Sequence, residues 1–62
     1  MPMVEVKIKA GRTIEQKREI ALRMTEVLVE VCGSARDRVH VIITEVGEDN
    51  WGRGGRLLSD IG

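Results

Sequence analysis

A strict alternation begins almost at the first residue and limits what can follow it. Met3-Val4-Glu5-Val6-Lys7-Ile8-Lys9 puts Val4, Val6 and Ile8 on one face and Glu5, Lys7 and Lys9 on the other. A period of two with one apolar face marks a half-buried strand. The start of the chain is therefore expected in a sheet, since termini fray unless they are anchored. After Ala10-Gly11-Arg12 the period changes. Thr13 and Gln16 form a Thr-x-x-Gln capping box, which satisfies two orphan amide donors at a helix start. Ile20, Ala21, Met24, Val27, Leu28 and Val31 then recur at helical spacing. The spacing predicts a helix from about residue 13 to 32, stopped by Gly33 at the C′ position.

Ser34 to Asp37 reads as a connector, and Val39-His40-Val41-Ile42-Ile43-Thr44 as a second strand rich in β-branched residues. Val39, Val41 and Ile43 share one face; Arg38, His40, Ile42 and Thr44 share the other. Strand, helix and strand in one unit imply a right-handed crossover and a parallel pair. Glu45 to Asn50 reads as a loop. Trp51-Gly52-Arg53-Gly54-Gly55 suits a small hairpin, and Leu57-Leu58 opens a short apolar tail. The expected fold is α+β, a β-α-β subunit with a short C-terminal hairpin, spanning residues 1–62 as one domain.

Such a unit needs help to be stable. A domain of this size buries only about 60% of the surface its unfolded chain exposes. Small scaffolds compensate with disulfides, metals or oligomerisation. The chain has a single cysteine, which excludes an internal disulfide. Cys32 and His40 alone cannot supply the four ligands of a structural zinc site. One Trp and no Phe or Tyr leave the core to aliphatic residues and Met. Oligomerisation remains. Two subunits joined edge to edge give a four-stranded sheet carrying two helices, and stacking such dimers covers the faces left over.

Ten basic residues balance ten acidic ones. That balance argues against a general nucleic-acid or membrane-surface binder. No apolar run approaches the roughly 20 residues that span a bilayer. The first residues lack the pattern of a signal peptide. A cytoplasmic location is expected, and the free cysteine agrees with a reducing compartment. No cofactor or metal is expected.

These segments resemble the 4-oxalocrotonate tautomerase family over essentially the whole chain. The resemblance rests on Pro2 behind Met1, Gly11-Arg12 after the first strand, Glu15-Gln16-Lys17 in the first helical turn, Val41-Ile42-Ile43-Thr44-Glu45, and Trp51-Gly52-Arg53-Gly54-Gly55. It implies a subunit often assembled as a hexamer, a trimer of dimers. It also implies cofactor-free proton transfer between enol and keto forms of 2-oxo acids. Pro2 then matches the family's base once Met1 is removed. Arg12 matches an arginine that binds a substrate carboxylate and draws electron density toward it. Trp51 matches an aromatic residue that keeps the pocket apolar. A second arginine, usual in members using dicarboxylates, falls at His40. That departure predicts weaker use of dicarboxylates than of monocarboxylates.

The chemistry fits these residue types. A general base works best with a pKa near the operating pH. A free N-terminal proline is a secondary amine that is normally protonated. A desolvated pocket and a nearby guanidinium both disfavour its charged form. Trp51 can supply the first and Arg12 the second, since Arg12 keeps its charge and offers a planar fork to a carboxylate. Pro2 and Arg12 are separated by about 30 Å of extended strand, so the site is expected to be shared between neighbouring subunits of a homo-oligomer. Arg38 or Arg53 could provide a second positive charge for a carboxylate substrate. His40 is either a strand residue facing a partner or a pH-dependent donor to substrate. Cys32 reads as a small hydrophobe.

Two other functions remain open at this level. Hydratase or dehalogenase chemistry on the same fold needs a carboxylate to activate water, and the position after Gly52 carries Arg53 instead. A non-catalytic subunit of a hetero-oligomer could receive from its partner the arginine that His40 replaces.

Overall fold

A computed structural model describes residues 1–61. Strand β1 is Met3–Lys9, helix α1 is Ile14–Cys32 and strand β2 is His40–Val46. A hairpin of β3, Gly52–Arg53, and β4, Arg56–Leu57, leads into a last helical turn, α2, Leu58–Ile61. Short 3₁₀ turns at Arg36–Arg38 and Glu48–Asn50 flank β2.

β1 and β2 are parallel, as the strand-helix-strand order requires. The register pairs Met3 with His40, Val4 with Val41, Val6 with Ile43, Lys7 with Thr44 and Lys9 with Val46. Val4, Val6, Ile8, Val41 and Ile43 are half-buried, whereas the residues between them are exposed. Alternation along each strand thus gives one covered face and one open face. The open face carries Met3, Glu5, Lys7, Lys9, His40, Ile42 and Thr44.

α1 begins where its capping chemistry dictates. The Thr13 hydroxyl accepts from the Gln16 amide at 3.1 Å, and the Gln16 side chain accepts from the Thr13 amide at 2.9 Å. The helix stops at Gly33, whose φ of 67° is the left-handed conformation that costs glycine little. Its N–H donates to the Val29 carbonyl at 3.1 Å. Lys17 on α1 pairs with Glu45 on β2, an ion pair that ties the helix to the sheet. Gly54 and Gly55 turn the hairpin at φ of 61° and 85°. A two-residue loop with both central φ values positive matches the twist of its strands.

Three expectations need correction. β2 begins at His40, one residue later than expected, because the Val39 N–H closes the preceding turn onto the Arg36 carbonyl at 3.3 Å. Arg38 accordingly lies in that turn and not on the His40 face of β2. The strand also runs on through Glu45 and Val46, which stay on the ladder opposite Ile8 and Lys9. On α1, Val27 and Val31 are 48% and 78% exposed, so the apolar stripe runs past the edge of the two-stranded sheet.

The subunit is thin. It measures 43 × 24 × 14 Å, with a radius of gyration of 14.6 Å. A compact chain of this length has a radius near 10.6 Å. Among the described residues none is fully buried.

Candidate active site

The site residues fall at opposite ends of the sheet. At one end, the Pro2 carbonyl accepts the His40 N–H at 3.0 Å, one step ahead of the Met3–His40 rung. This bond fixes the backbone of Pro2 at the head of β1. Pro2 is half-buried, while Met1 before it is 82% exposed. His40 turns onto the open sheet face, and no hydrogen bond to its ring is present among the described residues.

Arg12 lies three residues past the other end of β1, a seven-residue strand about 23 Å long at some 3.3 Å per residue. It is exposed and makes no ion pair among the described residues. It edges a groove along α1 whose other walls are Gln16, Glu19, Ile20, Arg23 and Met24. Ile20 and Met24 form an apolar floor, and Arg23 is neutralised by Glu19 at 2.7 Å. Arg12 is thus the unpaired cation of that groove.

Trp51 closes the 3₁₀ turn after β2, at the same end as Arg12. Its carbonyl accepts the Leu58 N–H at 2.8 Å, which anchors the hairpin and α2 to the turn. Trp51 is half-buried and lines a second groove, about 300 Å³, with Lys7, Val46, Asn50 and Gly52. Arg53 stands opposite Arg56 in the hairpin and is exposed.

Within one subunit the structure therefore joins Pro2 to His40, sets Arg12 on one groove and Trp51 on another, and places neither Arg38 nor Arg53 in the lining of either groove. Lys7 was not among the residues singled out from sequence. Its place on the polar face of β1 is legible, but its lining of one groove with Trp51 depends on the β1–β2 register and the turn that follows β2. Among the described residues, no three His, Cys, Asp or Glu side chains group closely enough to hold a metal ion. None of the described helices is long and apolar enough to cross a membrane.

A family model for tautomerase enzymes matches residues 2–61, nearly the whole chain. The chain belongs to the tautomerase family. It is 39% identical over 61 residues to the 2-hydroxymuconate tautomerase of Bacillus subtilis, covering 98% of each protein. Among solved structures it superposes on a 4-oxalocrotonate tautomerase isozyme from Methylibium petroleiphilum with a TM-score of 0.93, at 34% identity over 98% of each chain. It also matches a heterohexamer 4-oxalocrotonate tautomerase from Chloroflexus aurantiacus, with a TM-score of 0.92 and 26% identity over the full length of both. The tautomerase is thus an enzyme of the isomerase class, 4-oxalocrotonate tautomerase-like in sequence and fold.

Proposed function

We propose that the tautomerase interconverts enol and keto forms of 2-oxo acids with the free amine of Pro2 as general base, after removal of Met1. The observation that carries this reading is the bond from the His40 N–H to the Pro2 carbonyl. It holds the residue by its carbonyl and leaves the ring nitrogen, one residue outside the ladder, free for chemistry. While Met1 remains attached that nitrogen is an amide and has no basic lone pair; hydrolysis of the Met1–Pro2 bond makes it a secondary amine.

In the enol-to-keto direction, neutral Pro2 takes the hydroxyl proton and the resulting ammonium delivers a proton to carbon. Nothing is gained or lost overall. Arg12 binds the substrate carboxylate with two parallel N–H···O bonds and pulls electron density toward it. Trp51 excludes water and so disfavours the ammonium form of Pro2. Because Pro2 stands at one end of β1 and Arg12 and Trp51 at the other, the working site is completed by neighbouring subunits. A pair of subunits sharing a four-stranded sheet, stacked into a hexamer, is the assembly that brings these ends together. The 2-hydroxymuconate substrate named for the Bacillus subtilis relative belongs to the same chemical class.

The test is the intact mass of the purified protein together with turnover of a 2-hydroxydienoate. A chain lighter by one methionine, active alone, and slowed sharply by Pro2→Ala is the expected result. Retention of Met1 in a fully active enzyme would sink the proposal.

A second reading is favoured by His40 and by the heterohexamer relative. Here the chain is one of two kinds of subunit, and the partner brings the arginine. An inactive homogeneous sample that regains activity on mixing with a related chain would establish it.

A further inference from the structure

The open face of the sheet carries two lysines in different electrical states. Lys9 is neutralised by Glu48 at 3.0 Å. Lys7, one turn of the pleat earlier on the same face, makes no ion pair among the described residues. Glu5 shares that face, yet it too is unpaired with Lys7. Lys7 instead lines the groove of about 300 Å³ with Val46, Asn50, Trp51 and Gly52. An ammonium with no ion-pair partner that lines a groove is open to an anionic ligand.

We propose that Lys7 is a specificity-determining residue whose ammonium receives a second carboxylate of the substrate, so that the tautomerase takes dicarboxylate enols. This rests on the reading above, in which Trp51 lines the site. The other cations are poorer candidates. Arg38 is held in the 3₁₀ turn at the opposite end of the sheet, and Arg53 faces Arg56 in the exposed hairpin. His40 stands four rungs from Lys7, about 13 Å along the same face. A lysine suits the task as a flexible point charge with three donors, without demanding the fixed bidentate geometry of arginine. The expectation of poor dicarboxylate use, drawn from His40 alone, is then reversed by a cation from another strand.

Lys7→Met keeps most of the apolar stem and removes the charge; Lys7→Arg keeps the charge. Each is assayed on the dicarboxylate 2-hydroxymuconate and on a 2-hydroxydienoate with a single carboxylate. The expected result is a KM for the dicarboxylate raised by about tenfold in Lys7→Met, the scale of one charge contact. Its kcat and both parameters for the monocarboxylate should change less than about twofold, and Lys7→Arg should recover the KM. Equal effects on the two substrates, or no effect on either, overturn the proposal. So does loss of assembly in both variants, which makes Lys7 a subunit contact. Pro2→Ala is run alongside. Full activity in Pro2→Ala refutes the base and leaves the KM split readable, whereas a slow Pro2→Ala with no split in Lys7→Met refutes only the role of Lys7.

Discussion

The His40 N–H donates to the Pro2 carbonyl at 3.0 Å, so the proposed base and the position that departs from the family pattern are neighbours on one ladder. The bond uses backbone atoms on both sides. Replacing either side chain should leave it intact. Pro2→Ala is therefore expected to fold and assemble like the parent while kcat falls about a hundredfold, at the low end of what a positioned base contributes. The residual rate comes from the primary amine. Circular dichroism and size would match the parent; an unchanged kcat would mean that the proton goes elsewhere.

The protonation state of that amine sets the pH profile. A base must be neutral to act, so kcat/KM should rise with pH through the pKa of free Pro2 and then level off. In the proposed shared site, desolvation and the Arg12 guanidinium both act to bring that midpoint down. The same midpoint should appear when the Pro2 nitrogen is titrated by NMR in the assembled, processed protein. Arg12→Ala removes one of the two influences, so the midpoint should move upward. A midpoint that ignores Arg12 places the two residues in different sites.

Arg12→Ala should also weaken substrate binding. Charge-assisted hydrogen bonds contribute about 1.5–3 kcal/mol, which corresponds to a KM increase of roughly ten- to a hundredfold. Arg12→Lys keeps the charge but loses the fork and should fall between the two. Steady-state kinetics on a monocarboxylate enol is the measurement. Equal KM values in all three proteins would leave Arg12 as a solvated loop residue.

How far the residues announce this arrangement depends on how local each signal is. The Thr13–Gln16 box, the Gly33 stop and the alternation of β1 act within a few residues of each other and are legible directly. The 3₁₀ turn at Arg36–Arg38 is not, because Arg-Asp-Arg carries no turn signature and its bonds run to Ala35 and Val39. Glu45 looks like a loop residue because it is charged; it belongs to β2 because its backbone stays on the ladder opposite Ile8, and Lys17, reaching over from α1, pairs with its charge. Pro2, Arg12 and Trp51 are singled out by the resemblance, and their roles stand as proposals. Their separation within one subunit follows from strand geometry, and the placing of Lys7 and Trp51 on one groove depends on the register.

An ion pair away from the site gives a stability prediction with a definite sign. The Arg36 guanidinium donates to Glu26 and holds its carboxyl below the ordinary value of 4.5. A group whose folded pKa is depressed stabilises the folded state above its unfolded pKa and loses that contribution as pH falls through the folded one. The stability gap between the parent and Glu26→Gln should therefore be largest above pH 4.5 and close below it. Both side chains are solvated, so the gap is small and should shrink further with added salt. Urea midpoints across this range would show it. A gap that widens on acidification contradicts the assignment.

The largest prediction comes from what the subunit fails to cover. Its accessible surface is 4753 Å². A folded monomer of this mass exposes about 4,000 Å². Met3, Leu22, Val31 and Ile42 are each 45% exposed or more, and none of the described residues is fully buried. Without a closed core, the apolar burial that opposes chain entropy must come largely from other subunits. Folding and association are then one equilibrium, and stability depends on protein concentration. Sedimentation should give a multiple of the 6.9 kDa chain mass. Tm should rise with protein concentration, and activity should vanish together with the assembly, as the proposed sharing of the site between subunits requires. A stable 6.9 kDa species with full activity on dilution would show instead that one chain closes the site by itself.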